Sequence, residues 1–144
     1  MPILEAPPTA ALTLRAATAR DLMTPNPVSV RRHATLREAA SFLWDRDFTA
    51  SPVLDAAGWA VGVQYRTDLL AHLTRPEANE AELDTRVVAD VMTDGLRAVP
   101  TTATAAVVVA TILAHQVHRL FVVDADGVLV GLIGLFDILH HLRS

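Results

Sequence analysis

The chain contains no cysteine, and aromatic residues make up only 5% of its 144 residues. Without cysteine, disulfides, thiolate metal sites and a cysteine nucleophile are excluded, and the composition is consistent with a reducing compartment. No apolar run reaches the roughly 18 residues that a membrane-spanning helix needs. The first residues are a poor match to a secretory signal. We therefore expect a cytoplasmic protein that does not enter a membrane.

Lysine is also absent, so positive charge comes from arginine alone. The chain has twelve arginines, a net charge of -4 and a pI of about 5.8. This acidic balance argues against a general nucleic-acid binder, because such proteins hold the phosphate backbone with excess positive charge. Hydrophobic residues make up 51% of the chain and charged residues 19%. That composition is sufficient for a packed core.

Sequence signatures of enzymes are missing as well. The chain has no G-x-S-x-G nucleophile elbow and no G-x-x-x-x-G-K phosphate loop. No H-x-x-x-H pair beside a carboxylate occurs, so a zinc enzyme is not indicated. Asp124, Asp126 and Gly127 are similar to the start of a calcium loop, but the later ligands are missing and a hairpin turn explains them. We expect neither catalytic residues nor a metal site.

The chain contains two similar copies of one segment. Asp21-Leu22-Met23-Thr24 recurs as Asp90-Val91-Met92-Thr93, 69 residues further on. The same offset aligns about fifty residues without a gap, which chance similarity would not maintain across turns. The chain is therefore a tandem duplication. We expect a tail of uncertain order at residues 1–17, a first repeat at 18–73, a linker at 74–86 and a second repeat at 87–144.

Each copy has the pattern strand, helix, strand, strand, helix. Thr35 and Glu38 form a capping-box pattern at the start of the first helix. The apolar residues of that helix recur at helical spacing and predict one buried stripe, formed by Leu36, Ala39, Ala40, Leu43 and Trp44. Gly58 predicts a hairpin turn with positive φ, and a second helix is expected to begin near Thr67. In the second copy, Val107-Val108-Val109 favours a strand by itself, but the repeat register predicts a helix.

These features together resemble the CBS domain family over about residues 18–142. They are the D-(L/V)-M-T opening, the T-x-x-E helix start, the PVLD and FVVD strands, the glycine turn and the G-x-x-x-x-x-D segment. The resemblance implies an α/β (α+β) fold in which tandem β-α-β-β-α repeats pack as one pseudo-two-fold Bateman module. It also implies a non-catalytic regulatory sensor of AMP, ADP, ATP or S-adenosylmethionine, with no catalytic domain in the chain and no required cofactor.

The resemblance also suggests residues that contact the ribose of such a ligand. The family pattern is G-h-h-(T/S)-x-x-(D/N), and both copies keep its aspartate, as Asp68 and Asp137. Tyr65 and Gly134 replace the Thr/Ser hydroxyl. Loss of one neutral hydrogen bond costs about 1 kcal/mol, or roughly fivefold in affinity, so binding can persist. The alternative is that each carboxylate simply stabilises the first turn of its helix through the helix dipole.

The second repeat resembles the γ subunit of AMP-activated kinase in its HRL segment. This resemblance implies that His118 and Arg119 reach the phosphates of a ligand whose ribose Asp68 holds. Arg66 would add a third cation, and backbone N–H groups near Thr67 favour the same anion. The equivalent positions in the first copy are uncharged, so we expect two unequal sites. The alternative for the His-Arg pair is a solvated connection between a helix and a strand.

We expect a homodimer, because the closing helices near residues 67–73 and 137–142 offer apolar faces typical of CBS dimer contacts. Trp59 is expected to be exposed and to mark an interface. Ligand binding between the repeats would tilt one repeat against the other and bias the docking of a protein partner that is not identified.

One rival hypothesis is a ligand-free scaffold for dimerisation or protein interaction, with Tyr65 and Gly134 marking a decayed site. A weaker rival is an enzyme or metal-storage protein that uses the histidines.

Overall fold

The computed structural model describes residues 12–143. Strands and helices alternate along the chain, which confirms the predicted α/β (α+β) class. The elements are β1 (Thr13–Leu14), α1 (Ala19–Leu22), β2 (Thr24–Pro25), β3 (Val30–Arg31), α2 (Leu36–Arg46), β4 (Ala50–Leu54), β5 (Ala60–Tyr65), α3 (Arg66–Leu73), α4 (Glu82–Thr85), a 3-10 turn (Val88–Asp90), β6 (Thr93–Asp94), β7 (Ala98–Pro100), α5 (Ala105–His115), β8 (Arg119–Val123), β9 (Leu129–Gly134), α6 (Leu135–His140) and β10 (Leu142–Arg143).

The chain forms two compact units that do not coincide with the two repeats. The second unit contains residues 26–97 and 126–129, and the first contains the remaining described residues. Each unit has one four-stranded sheet, ordered β2-β9-β8-β7 in the first unit and β3-β4-β5-β6 in the second. Strand β2 opens the first repeat but pairs with β9 of the second repeat, while β6 opens the second repeat but pairs with β5 of the first. Each repeat therefore completes the sheet of the other.

The first unit is built around helix α5, which connects the parallel strands β7 and β8. Its core consists of apolar side chains from α1, α5 and the sheet, chiefly Leu22, Val108, Ile112, Leu120, Val122 and Ile133. The short strand β1 pairs with β10, Thr13 opposite Arg143 and Leu14 opposite Leu142. Part of the predicted tail is thus paired with the end of the chain, while residues 1–11 of that tail lie outside the described residues.

The second unit repeats this plan around helix α2, which connects the parallel strands β3 and β4. Its core is formed by Val30, Leu36, Ala39, Leu43, Val53, Leu69 and Val88. Strands β4 and β5 form the predicted hairpin, and Gly58 in its turn has φ +88°, as predicted. In the second hairpin, Gly127 has φ +81° and lies under the Trp59 ring, which leaves no room for a Cβ. Trp59 itself is 46% exposed, as predicted.

Helix α2 confirms the predicted capping box and corrects one part of the predicted stripe. The hydroxyl of Thr35 accepts a hydrogen bond from the backbone N–H of Glu38 at 3.1 Å, and the Glu38 carboxylate accepts one from the N–H of Thr35 at 3.1 Å. The prediction that Trp44 is buried was wrong, since this side chain is 81% exposed. Trp44 follows the buried Leu43 and therefore points about 100° further around the helix, away from the sheet.

Helix α5 confirms that the repeat register outweighs the strand preference of three consecutive valines. It spans Ala105–His115 and is capped by the hydroxyl of Thr104, which accepts a hydrogen bond from the N–H of Val107. Val108 is fully buried while Val107 is 51% exposed. One face of the helix therefore covers the sheet, and burial of that face stabilises the helix despite the modest intrinsic helix propensity of valine.

Ion pairs attach the polar segment between the repeats to the second unit. The buried carboxylate of Glu82 on α4 accepts a hydrogen bond from the Arg75 guanidinium, which also donates to the carbonyl of His72 at 2.8 Å. The Asp84 carboxylate accepts two hydrogen bonds from Arg37 on α2, at 2.8 and 3.1 Å. These contacts hold in place a segment that its polar composition predicts only as a linker.

Gln64 is a polar residue in the core of the second unit, and replacing it is expected to increase stability. Its side chain is fully buried, and within residues 12–143 only its amide nitrogen has a partner, the carbonyl of Tyr65 at 3.0 Å. The equivalent residue of the second repeat, Ile133, is apolar and equally buried. Because an unpartnered buried acceptor costs about 1–3 kcal/mol, Gln64→Ile should raise the free energy of unfolding by about 1 kcal/mol.

Chemical denaturation measures this difference, with Ile133→Gln as the matched reverse change. Ile133→Gln should destabilise the chain, because it introduces the polar group into the other core. A Gln64→Ile variant less stable than the parent would contradict the interpretation.

Arg75 is expected to make stability depend on pH through Glu82. The hydrogen bond and charge of Arg75 hold the pKa of Glu82 below its ordinary value. A carboxyl group with a lowered folded-state pKa contributes stability above its unfolded pKa, and this contribution is lost as the pH falls through the folded pKa. Arg75→Gln should therefore flatten the decline in stability below about pH 4.3, the ordinary pKa of glutamate. Thermal unfolding from pH 7 to pH 2.5 provides the measurement.

The control is Arg97→Gln, which removes the same charge from an exposed position. It should leave the acid limb of the stability profile unchanged. Superimposable profiles for Arg75→Gln and the parent chain would contradict the assignment.

Candidate functional site

Asp68 lies in the first turn of α3 and is held by a residue of the other repeat. Its Oδ2 accepts a hydrogen bond from the hydroxyl of Thr93 at 2.9 Å. Thr93 belongs to β6 and is paired with Val63 on β5, the strand that leads directly into α3. The other carboxylate oxygen, Oδ1, accepts no hydrogen bond from residues 12–143. The half-buried carboxylate thus has one oxygen fixed and one available.

Asp137 has the equivalent place on α6 but uses both of its oxygens. Its Oδ1 accepts a hydrogen bond from the hydroxyl of Thr24 at 3.0 Å, and its Oδ2 accepts one from the backbone N–H of Gly134 at 2.7 Å. Thr24 lies on β2, opposite Leu132 of β9. This bond satisfies the backbone N–H donor of Gly134 at the start of the helix. Asp137 thus stabilises the first turn of its helix, which the sequence analysis gave as the alternative to ligand binding. The two aspartates are therefore not equivalent.

The other residues of the D-(L/V)-M-T motif also have identifiable contacts. The side chain of Met23 lies against Gly131, where a Cβ would overlap it. At Gly62 a Cβ would overlap the backbone carbonyl oxygen of Thr93 and would lie close to the sulfur of Met92. Asp21 accepts hydrogen bonds from the N–H groups of Thr18 and Ala17, both at 3.0 Å, and the bond from Thr18 contributes most to lowering its pKa.

The opening motif of each repeat therefore contacts the G-x-x-x-x-x-D segment of the other repeat. Sequence analysis identified both motifs but did not predict this contact or the hydrogen bonds that Thr24 and Thr93 donate to the aspartates. The sequence did contain a signal for the contact, because the threonine of the opening motif and the aspartate both recur 69 residues further on.

The residues next to Asp68 border the start of α3. Tyr65 is the N-cap residue and is 37% exposed. Arg66 is exposed, and its Nη1 lies 3.5 Å from a carboxylate oxygen of Asp47, while its backbone N–H donates to the carbonyl of Thr49 at 2.8 Å. Thr67 is exposed. A tyrosine, an arginine and a threonine thus follow one another at the surface immediately before the carboxylate.

His118 and Arg119 lie in the first unit, after the end of α5. His118 is exposed in the connection between α5 and β8, and Arg119 is the half-buried first residue of β8. Gly134 and Asp137 belong to the same unit, whereas Asp68 belongs to the second. That the His-Arg pair reaches the phosphates of a ligand at Asp68 stays a prediction.

A separate cavity of about 440 Å³ opens in the second unit where β3 meets α2. It is lined by Ser29, Val30, Arg31, His33, Ala34, Glu38 and Phe42. None of the residues that the sequence indicated for ligand binding lines this cavity. The guanidinium of Arg46 lies 4.1 Å from the centre of the Phe42 ring at its side.

Two further observations concern metal ions and membranes. Within residues 12–143, no group of three histidine, aspartate or glutamate residues is placed to hold a metal ion. The helices of the same part of the chain are all too short or too polar to cross a membrane.

Two β-α-β-β-α repeats, each completing the sheet of the other, define a tandem-repeat α/β module. The family model for the CBS domain matches this chain twice, at residues 19–75 and 88–144. The chain belongs to the CBS domain family and contains a tandem CBS pair. A comparison with curated proteins finds no match.

Solved structures of CBS proteins are similar to the chain over most of its length. CBSX2 in complex with AMP is 31% identical, with a TM-score of 0.71, and the match covers 85% of this chain and 93% of CBSX2. CBSX2 from Arabidopsis thaliana, a CBS-pair protein, is 30% identical with a TM-score of 0.71 over 87% and 93% of the two chains. The CBS domain of a bacterial CNNM/CorC family Mg2+ transporter in complex with ATP is 27% identical, with a TM-score of 0.74 over 89% and 88%.

Proposed function

We propose that the chain is a regulatory module that binds an adenosine-containing ligand, namely AMP, ADP, ATP or S-adenosylmethionine, and responds by a change in conformation. The observation that carries the proposal is the state of Asp68. This carboxylate occupies the aspartate position of the family motif, is fixed through Oδ2, and keeps Oδ1 without a partner among residues 12–143. A carboxylate oriented in this way suits the two hydroxyl donors of a ribose.

The AMP and ATP present in the CBSX2 and CNNM/CorC structures support the same ligand class. Arg66 beside Asp68 supplies a cation for a phosphate, and the proposed contacts of His118 and Arg119 add two more donors. Asp137 is proposed as a weaker site, because both of its oxygens already accept hydrogen bonds. We propose binding and regulation as the role, because no residue arrangement in the sequence points to catalysis. The proposed location is the cytoplasm.

We also propose that the module works as a homodimer. Large apolar side chains stand exposed on the helices of each unit: Trp44 and Leu70 in the second unit, and Leu113, Phe136 and Leu139 in the first. Trp44 and Leu113, like Leu70 and Leu139, are equivalent under the repeat offset. Exposed apolar side chains at matching positions of both repeats are typical of an interaction surface. The exposed apolar side chains of each unit also support the second candidate function, a ligand-free dimerisation or protein-interaction scaffold.

Thermal unfolding with AMP, ADP, ATP, S-adenosylmethionine and GTP tests the sensor function. A ligand present at a hundredfold its Kd stabilises the fold by about 2.7 kcal/mol, which raises the unfolding temperature measurably. We expect this shift with at least one adenosine ligand and expect Asp68→Ala to reduce it strongly, leaving only the contribution of the weaker Asp137 site. Asp45→Ala, which removes an exposed carboxylate from α2, should keep the shift.

The outcomes of this panel separate the two functions. A shift of unchanged size in Asp68→Ala would place the ligand elsewhere. No shift with any of the adenosine ligands would favour the scaffold function.

The proposed dimer is tested by replacing Phe136 and Leu139 with glutamate. Phe136 is 85% exposed and Leu139 57% exposed, so the substitutions add charge to the apolar surface without disturbing a core. Sedimentation equilibrium should give a dimer for the parent chain and a monomer for the double variant. Val107→Glu adds the same charge at an exposed position of α5, about 120° around that helix from Leu113, and serves as the control that should stay dimeric. A parent chain that is monomeric at 100 μM would contradict the dimer.

A further inference from the structure

The threonines of the D-(L/V)-M-T motifs carry an inference beyond the family pattern. We propose that Thr93 and Thr24 are positioning residues, each of which orients the ligand-binding carboxylate of the opposite repeat. The inference rests on the proposed function, since it assigns a role in ligand binding to residues that contact Asp68 and Asp137 and not the ligand.

The same hydrogen bond occurs twice at equivalent positions of the duplicated chain. Thr93 donates to Asp68 at 2.9 Å, and Thr24 donates to Asp137 at 3.0 Å. The partners are 25 residues apart in the first pair and 113 in the second, so neither bond follows from local chain geometry. Recurrence of one long-range contact in both repeats indicates a shared role.

The backbone around Thr93 restricts where its hydroxyl points. Thr93 pairs with Val63 and Asp94 pairs with Gly62, so β6 is in register with β5. Strand β5 continues into α3 through Tyr65, which fixes the position of the first helical turn relative to β6. The β-branched threonine side chain has few χ1 rotamers. The hydroxyl is thus presented to the carboxylate with little loss of side-chain freedom.

The two threonines supply a hydroxyl next to each motif aspartate from the opposite repeat. The motif position that carries a threonine or serine hydroxyl in the family is Tyr65 in one repeat and Gly134 in the other. In both repeats a hydroxyl from the opposite repeat is bonded to the same carboxylate. It holds one oxygen, and at Asp68 it leaves Oδ1 for a hydroxyl donor of the ligand.

The two threonines are expected to differ in importance. The Asp137 carboxylate is also held by the backbone N–H of Gly134 at 2.7 Å, so it keeps an orienting bond when Thr24 is changed. Among residues 12–143, Thr93 is the one residue that donates a hydrogen bond to the Asp68 carboxylate. Loss of the hydroxyl at residue 93 therefore leaves the Asp68 side chain free to rotate.

Isothermal titration of the full chain with AMP and with ATP tests this inference, using Thr93→Val, Thr93→Ser and Thr24→Val. Thr93→Val keeps the shape of the side chain and removes the donor, and we expect its affinity to fall about fivefold to tenfold, which is close to the contribution of one typical hydrogen bond. Thr93→Ser restores the hydroxyl and should bind within about twofold of the parent chain. Thr24→Val should weaken binding less than Thr93→Val.

A second background separates positioning from a general structural effect. In Asp68→Ala, the valine substitution at residue 93 should cause no further loss of the remaining affinity, because the carboxylate that Thr93 orients is gone. A further loss of the same size in this background would overturn the inference. So would equal weakening by Thr93→Val and Thr93→Ser, or unchanged affinity in Thr93→Val.

The failure of the proposed function would look different. A parent chain that binds none of AMP, ADP, ATP and S-adenosylmethionine would remove the ligand-binding role of Asp68 and the positioning role with it. A parent chain that binds either nucleotide while Thr93→Val binds equally well would overturn the positioning role alone.

Discussion

Each opening strand pairs with the sheet of the other repeat, and this pairing determines how both sheets and both candidate sites are built. Without β6, strand β5 would be an edge with unpaired backbone groups, and without β2 the same would hold for β9. Backbone hydrogen bonds therefore commit both repeats to fold as a pair. The same pairing places the methionine of each opening motif against a glycine of the other repeat, and the threonine against its aspartate. The strand pairing that completes each sheet therefore also brings together the residues of the candidate site.

The two candidate sites differ although their backbones follow one plan. At Asp137 the second carboxylate oxygen accepts a hydrogen bond from the N–H of Gly134 at the start of α6, so the proposed ligand would compete with this helix cap. At Asp68 that competition is absent among the described residues, and the carboxylate is held by a hydroxyl alone. A duplicated motif thus yields one carboxylate with a structural task and one with a free oxygen. The difference arises from local hydrogen bonding and not from the overall fold.

Prediction from the sequence succeeded where the determining forces are local or are repeated in both copies. The capping box at Thr35 and the positive φ of Gly58 involve residues within a few positions of each other. Helix α5 was predicted against the preference of its valines because the other copy supplied the register. The prediction for Trp44 failed because periodicity defines a stripe but not its edge, which depends on what packs beside the helix. Gln64 was missed because a single polar residue barely disturbs an apolar pattern.

The amino-acid sequence is enough to predict that the chain is a duplicated CBS pair, where most of its helices and strands lie, and that Asp68 and Asp137 occupy the family motif. The contacts of Thr24 with Asp137, 113 residues away, and of Thr93 with Asp68 are visible only in the folded molecule. The physical reason is symmetry. Both copies carry the same opening motif and the same aspartate, so local preferences are equally satisfied by pairing within a repeat or across repeats. The choice follows from which sheet edge the connecting chain can reach, and that is a property of the folded molecule.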